Sequence, residues 1–248
     1  MTESVVPEEL AELWEELRPA VLVQVAAVRA AVAALHAGPL PAEAREQART
    51  DAHQLAGSLG SFGFDAAGRA ARTLELRFKA GPASEEAPEL DALVRELAEQ
   101  LDPLPTPQPA APREPATHEA PGPSRVDVAL VEDDEVLAAL ALHALGARGW
   151  TTRWIADGER ALRELGGARP ALRPRLLLVD WELPSRNGPE LLRALASDGS
   201  LTDVAIVMTT GHGGEEAVAE ARALGAAHLA KPYTVARLVE TVRARLAP

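Results

Sequence analysis

The sequence predicts two folded parts: an N-terminal antiparallel helical bundle, then an α/β domain with a doubly wound, five-stranded parallel sheet. Three observations carry this. Apolar residues recur at helical spacing through the first hundred residues. A proline-rich stretch follows. Beyond it, short apolar runs alternate with helical patterns, as in successive β-α units.

In the first part, Leu10, Leu13, Trp14, Leu17 and Val21 share one helix face, continued by Val25, Val28, Val32 and Leu35. His36-Ala37-Gly38-Pro39 breaks that helix. A second helix is expected from near Pro41 to about Gly60, and a third from Ala66 to Lys79, stopped by Gly81-Pro82. A fourth follows Ser84, with Glu85 and Glu86 suited to its N-terminal dipole, and carries Leu90, Leu93, Val94, Leu97 and Leu101 on one face. Four helices with short breaks suit an antiparallel bundle. Prolines 103, 105, 107, 109, 112, 115, 121 and 123 then punctuate a segment with almost no large apolar residue. Such a segment reads as a passive polyproline-like spacer, or as a docking site for a proline-binding partner; at ~3.1 Å per residue it could span on the order of 60–70 Å. The expected boundaries are bundle 1–102, linker 103–124 and α/β domain 125–248.

In the last part, strands are expected at Val126–Val131, Thr151–Ile155, Arg175–Asp180, Val204–Thr209 and Ala226–Ala230. The intervening helices are Asp134–Ala147, Gly158–Leu165, Pro189–Ala196, Glu215–Leu224 and Val235–Leu246.

Composition narrows the function. Aromatic residues are 3% of the chain, so the cores must be mostly Leu, Val and Ala. The formal net charge is -12, and residues 1–102 hold 9 Lys+Arg against 18 Asp+Glu. That disfavours a nucleic-acid or anionic-lipid footprint. The absence of cysteine excludes disulfides and thiolate metal sites. No stretch reads as long and apolar enough to span a membrane. The N-terminus lacks a basic signal region, so cytoplasmic residence is expected.

The strand ends are where chemistry gathers. Glu132 and Asp133 close the first strand, Asp180 the third; Thr210 follows the fourth and Lys231 the fifth. In a parallel sheet these ends share one rim, where open α/β sheets place ligands. Carboxylates gathered there repel one another unless a hard divalent cation is present. A hydroxyl and an ammonium beside them suit a phosphoryl group on one carboxylate. Taken singly, Asp180 could cap a loop and Lys231 could be a solvated charge.

Val131-Glu132-Asp133-Asp134, Val179-Asp180-Trp181-Glu182-Leu183-Pro184 with Asn187-Gly188, Met208-Thr209-Thr210-Gly211 and Lys231-Pro232-Tyr233 together resemble the response-regulator receiver domain, from residue 126 to about 247. The resemblance implies the flavodoxin-like strand order 2-1-3-4-5, with Asp180 as the phosphoacceptor. Mg²⁺ would be held by Asp133, by Glu132 (directly or through water), by Asp180 and by the backbone carbonyl of Glu182. Lys231 would pair with the aspartate and then the phosphoryl group, and Thr210 would donate its hydroxyl to a phosphoryl oxygen. The family's Lys–Pro bond, here Lys231–Pro232, is typically cis. Two departures stand out. His228 replaces the usual Phe or Tyr three positions before the lysine, which puts the usual aromatic switch in doubt. Glu182 adds a carboxylate that would either repel a phosphoryl donor or orient a hydrolytic water.

In the bundle, Ala52-His53-Gln54-Leu55-Ala56-Gly57-Ser58-Leu59-Gly60 lies on the second helix. Gly57, one turn beyond His53, would leave space beside the imidazole at about 1 kcal/mol of helix propensity. This motif resembles the histidine phosphotransfer (HPt) domain, over roughly residues 5–101, with His53 as its exposed phosphoacceptor. A neutral imidazole is nucleophilic near pH 7. The family often has a lysine three residues on, where this chain has Ala56; Arg49 and Arg45, one and two turns before His53, could supply that charge. The other histidines carry weaker readings: His36 at a helix end, His118 in the linker, His143 on a helix surface or core edge, His212 in a loop near the rim.

The expected function is phosphorelay signalling, with His53 and Asp180 exchanging phosphoryl groups with a sensor histidine kinase or with other receiver or phosphotransfer proteins. No kinase motif and no DNA-binding output domain is read, so the chain is expected not to be an enzyme beyond self-dephosphorylation. Two alternatives are a phosphorylation-independent adaptor, left open for the bundle by Ala56, and an aspartate-nucleophile phosphohydrolase. The latter usually carries a second Asp two positions after the nucleophile, where Glu182 stands.

Overall fold

The structure, a computed structural model, describes residues 8–101, 124–168, 170–211 and 215–247. The chain divides into two compact units, residues 1–112 and 113–248. The expected linker falls outside the described residues except for Ser124, which opens the first strand, and so do His118 and His212.

In the first unit, α1 (Glu8–Leu35), α2 (Ala42–Ser61), α3 (Asp65–Ala80) and α4 (Ala87–Glu99) close a ring in which α1 packs on α2 and α4, and α3 on α2 and α4. A single 3₁₀ turn, Ser84–Glu86, leads into α4. The helical stripes are the core: Trp14, Val21, Val25, Val28, Val32 and Leu35 of α1 are buried with Leu55, Leu59, Leu74, Phe78, Leu90, Val94 and Leu97. Trp14 tilts against Phe62 and Phe64, with ring centroids 5.1 and 4.5 Å away. α1 runs unbroken through Pro19, although a proline removes one helix hydrogen bond. Buried Trp14 before it and Val21 and Val25 after it hold both halves to the same neighbours. Gly81 ends α3 with φ +80°, a conformation that favours glycine. Arg77 then ties α3 to the start of α4 through Glu86 and Glu89, each at 2.8 Å. His36, just past α1, bonds Asp91 of α4 at 2.7 Å.

One sequence expectation is corrected here. Leu13–Leu35 is, by length and composition, long and apolar enough to cross a membrane. Its outward positions are largely alanine (Ala20, Ala26, Ala27, Ala30, Ala33 and Ala34), together with exposed Leu22 and Val23. Small residues raise hydropathy without adding a second buried stripe. The larger residues of this helix face α2 and α4.

The second unit alternates strand and helix. Its elements are β1 (Ser124–Val131), α5 (Glu135–Gly146), β2 (Thr152–Ile155), α6 (Gly158–Leu165), β3 (Leu172–Asp180), α7 (Gly188–Ser197), β4 (Ala205–Thr210), α8 (Glu215–Ala223), β5 (Ala227–Ala230) and α9 (Val235–Leu246). The strands pair in parallel in the order β2-β1-β3-β4-β5. Side chains alternate across the sheet. Ala129, Val131, Leu177, Val179, Ile206 and Met208 meet Ala161, Leu165, Leu191, Leu195 and Ala221 in one core. β3 begins three residues earlier than the sequence suggests, and Pro174 pairs with Val126 near its start. A proline is tolerated there because the strand's first rungs ask least of its missing N–H. Asp134, Asp157, Asn187 and Thr234 cap α5, α6, α7 and α9 with their side-chain oxygens. The register aligns Val131 with Val179, Asp180 with Thr209 and Thr210 with Ala230. It therefore brings Glu132, Asp180, Thr210 and Lys231 to one edge of the sheet.

Candidate phosphoacceptor sites

At that edge one ammonium bridges two strand ends. Lys231 Nζ lies 2.8 Å from Glu132 Oε2 and 3.0 Å from Asp180 Oδ2, and all three side chains are at most 5% exposed. Charges in so dry a place must be paired. Burial pushes the Glu132 carboxyl well above its ordinary range, and the Asp180 charge adds to the shift; Lys231 offsets only part of it. Burial would lower the Lys231 pKa, but the Asp180 and Glu132 carboxylates outweigh it and hold the ammonium well above its ordinary value. Asp134, at the same strand end, is pushed up to about 6 by burial.

The other oxygen of Asp180 is oriented by its neighbours. Asp180 Oδ1 accepts from the Trp181 N–H at 2.8 Å and from the Thr209 hydroxyl at 3.2 Å. Thr209 was not singled out in the sequence. The strand register decides it, since paired residues of parallel strands project to the same side. Thr210 Oγ1 lies 2.9 Å from His228 Nε2, so the histidine at the expected aromatic position meets the hydroxyl by a hydrogen bond. Burial lowers the His228 pKa. The Lys231–Pro232 peptide is cis.

Glu132, Asp133 and Asp180 can each offer one carboxylate oxygen, all within 4.8 Å of one another. One ammonium pairs with two of these three carboxylates, those of Glu132 and Asp180, and every donor is a hard oxygen. That set fits a small divalent cation. Glu182 stands two residues beyond Asp180, in the loop that leads to α7.

In the bundle, His53 sits on α2. Nδ1 lies 3.1 Å from Glu75 Oε1 on α3, and Glu75 is fully buried. Arg72, one turn back on α3, bonds the other Glu75 oxygen. Burial would raise the Glu75 pKa, but the His53 hydrogen bond and the charges of His53 and Arg72 outweigh it, holding the carboxyl below the ordinary glutamate range. Sequence reading assigned no face to α3, so Glu75 and Arg72 were missed; the i,i+3 Arg–Glu spacing was the one available signal. Arg49 bonds Glu46 at 2.9 Å, and the guanidinium of Arg45 lies against Gly81 at the end of α3. Ala56 is buried, so the position where the family often has lysine is covered in this bundle.

Residues 128–243 match the family model of the response regulator receiver domain, and residues 6–103 match that of the Hpt domain. The chain joins an Hpt domain to a receiver domain. Its receiver is 33% identical over 120 residues to the phosphate regulon transcriptional regulatory protein PhoB of Rhizobium meliloti, covering 48% of this chain and 51% of that protein. It is 37% identical over 123 residues to the DNA-binding response regulator MtrA of Mycolicibacterium paratuberculosis, covering 49% and 52%. The chain thus spans about half the length of these curated relatives. Among solved structures, the chemotaxis protein CheY4 of Vibrio cholerae matches at 25% identity and TM-score 0.43, over 49% of this chain and 99% of that one. An Hpt domain and a receiver are both modules of phosphorelay signalling, and neither is a kinase.

Proposed function

We propose that the chain passes phosphoryl groups, with His53 the acceptor on the Hpt domain and Asp180 the acceptor on the receiver. The observation that carries the reading is Lys231 held between Glu132 and Asp180 at the sheet edge. An Asp180 carboxylate oxygen attacks phosphorus of a phosphohistidine. The P–N bond breaks, its electron pair returns to the ring nitrogen, and an acyl phosphate forms. The Trp181 N–H and Thr209 hydroxyl hold the carboxylate in place. Lys231 neutralises charge on the transferred group, and Thr210 leaves His228 to donate to a phosphoryl oxygen. Asp133, Asp180, Glu132 and the Glu182 carbonyl would hold Mg²⁺. When bound, Mg²⁺ supplies charge neutralisation for the carboxylate and phosphoryl oxygens.

On the Hpt domain, Glu75 accepts from Nδ1–H and so fixes the tautomer that leaves Nε2 as the nucleophile. Arg72 keeps Glu75 ionised for this role. The partners are a sensor histidine kinase and other receiver or phosphotransfer proteins, in the cytoplasm where kinases draw on ATP. Nucleic acid is not among them, given the net charge of -12. Ala56 favours a second reading for the bundle alone, as a docking adaptor that is not phosphorylated.

The deciding experiment is phosphotransfer from a labelled kinase into wild type, His53→Gln and Asp180→Asn. Acid-labile, base-stable label on Asp180→Asn and Mg²⁺-dependent label on His53→Gln are expected. Absence of the second under every donor overturns Asp180 as acceptor. Absence of the first leaves the bundle an adaptor.

A further inference from the structure

The loop between Asp180 and α7 is pinned from an element that carries none of the carboxylates grouped at the sheet edge. Its near end closes on itself: the Gly188 N–H donates to the Trp181 carbonyl at 2.9 Å. A Cβ on Gly188 would stand 2.3 Å from the Asp180 carbonyl oxygen. Its far end, Ser185-Arg186, rests on the first residues of α6. Asp157, the α6 cap, has its carboxyl held below the ordinary aspartate range by the Arg160 N–H and by Ser185, whose φ is +66°. Gly158 meets the Arg186 carbonyl so closely that a Cβ would fall 2.1 Å from its oxygen. Glu159 Oε1 receives both Arg186 Nε and Nη2 at 2.8 Å. The cap and the first two residues of α6 thus meet two consecutive residues of the loop, and Glu182 lies between the two pinned ends.

We infer that Asp157, Gly158 and Glu159 are positioning residues for the receiver's cation site: they set the loop that presents the Glu182 backbone oxygen beside Asp180. This rests on the reading of Glu132, Asp133 and Asp180 as cation ligands. None of the three is among the carboxylates that could hold the cation. They act by holding an otherwise adjustable loop at a fixed distance from the acceptor, as outer contacts hold metal ligands elsewhere. The strained φ of Ser185 is tolerated because the next residue, Arg186, is held by both the Gly158 contact and the Glu159 pair.

The test is binding of Mn²⁺, a spectroscopic substitute for Mg²⁺, to the full chain, with free ion counted by electron paramagnetic resonance. Melting temperature in EDTA is read alongside. Gly158→Ala forces the loop away and is expected to weaken binding about tenfold or more, as loss of such outer contacts does. Glu159→Gln is expected to weaken it severalfold, and the exchanged pair Glu159→Arg with Arg186→Glu to restore it. Glu164→Gln, on the same helix but paired with Arg160, is expected to bind as wild type. Wild-type binding with Gly158→Ala and Glu159→Gln both unchanged overturns the inference alone. If Gly158→Ala does not fold, Glu159→Gln and its exchanged pair decide. A wild type that takes up no Mn²⁺ overturns the cation-site reading and this inference with it.

Discussion

Lys231 is one residue asked to neutralise two buried carboxylates from different strands, and its removal should show how much the edge depends on it. Lys231→Ala leaves Glu132 and Asp180 facing each other without a cation. It should destabilise the receiver by about 3–5 kcal/mol in EDTA, the range for breaking a buried charge pair. Millimolar Mg²⁺ should recover part of that loss, read as a shift in urea midpoint. His53 makes the opposite case, a polar pair that tunes rather than holds. Glu75→Gln keeps the shape but removes the charge behind Nδ1, so phosphotransfer at His53 should slow by about tenfold or more, as loss of the partner that orients a histidine ring does elsewhere. An unchanged rate would leave Glu75 a packing residue. The same pair predicts a pH dependence. The folded-state pKa of Glu75 lies below its ordinary 4.5. Its contribution to stability is therefore complete above pH 4.5 and lost as pH falls through the lower, folded value. Amide exchange in α2 and α3 should accelerate in that acid window in wild type and less in Glu75→Gln.

At the scale of elements, the bundle depends on a few large side chains and one close backbone approach. Trp14 is 1% exposed and packs in tilted contact with Phe62 and Phe64. Trp14→Ala should destabilise the bundle by about 3–5 kcal/mol, measured by chemical denaturation. α2 and α3 meet where a Cβ on Gly68 would lie 3.2 Å from the Gly60 nitrogen. Gly68→Val should push the helices apart, destabilise by about 1–3 kcal/mol and lengthen the His53–Glu75 contact. A slowed phosphotransfer with that modest loss of stability is the expected signature. The sequence read both helices nearly to their ends, because apolar spacing and Gly81 mark them locally. It did not tell which face of α3 turns to α2, so Glu75 was not singled out. The α1 stripe was legible for the same reason, while its alanine-covered outer face was not recognised as apolar enough to mimic a membrane span.

At the scale of the whole chain, two compact units imply two cooperative transitions. Calorimetry should resolve one that Mg²⁺ leaves in place and one that it raises, because a ligand that binds only the folded receiver stabilises that unit alone. Asp180→Asn should remove most of the Mg²⁺ response and leave the other transition unmoved. A single transition shifted as a whole would mean that the units melt as one.

The sequence by itself determined the alternation of elements, the acidic strand ends and the helix bearing His53. These rest on local periodicity and on residues adjacent along the chain. Only the tertiary structure decided that Thr209 reaches Asp180, that His228 meets Thr210, that Glu75 and Arg72 stand behind His53, and that α6 grips the loop after Asp180. Each of those is a contact between segments 18 or more residues apart. Strand register and helix rotation set such contacts, and both are fixed by burial of the whole core rather than by any stretch of sequence.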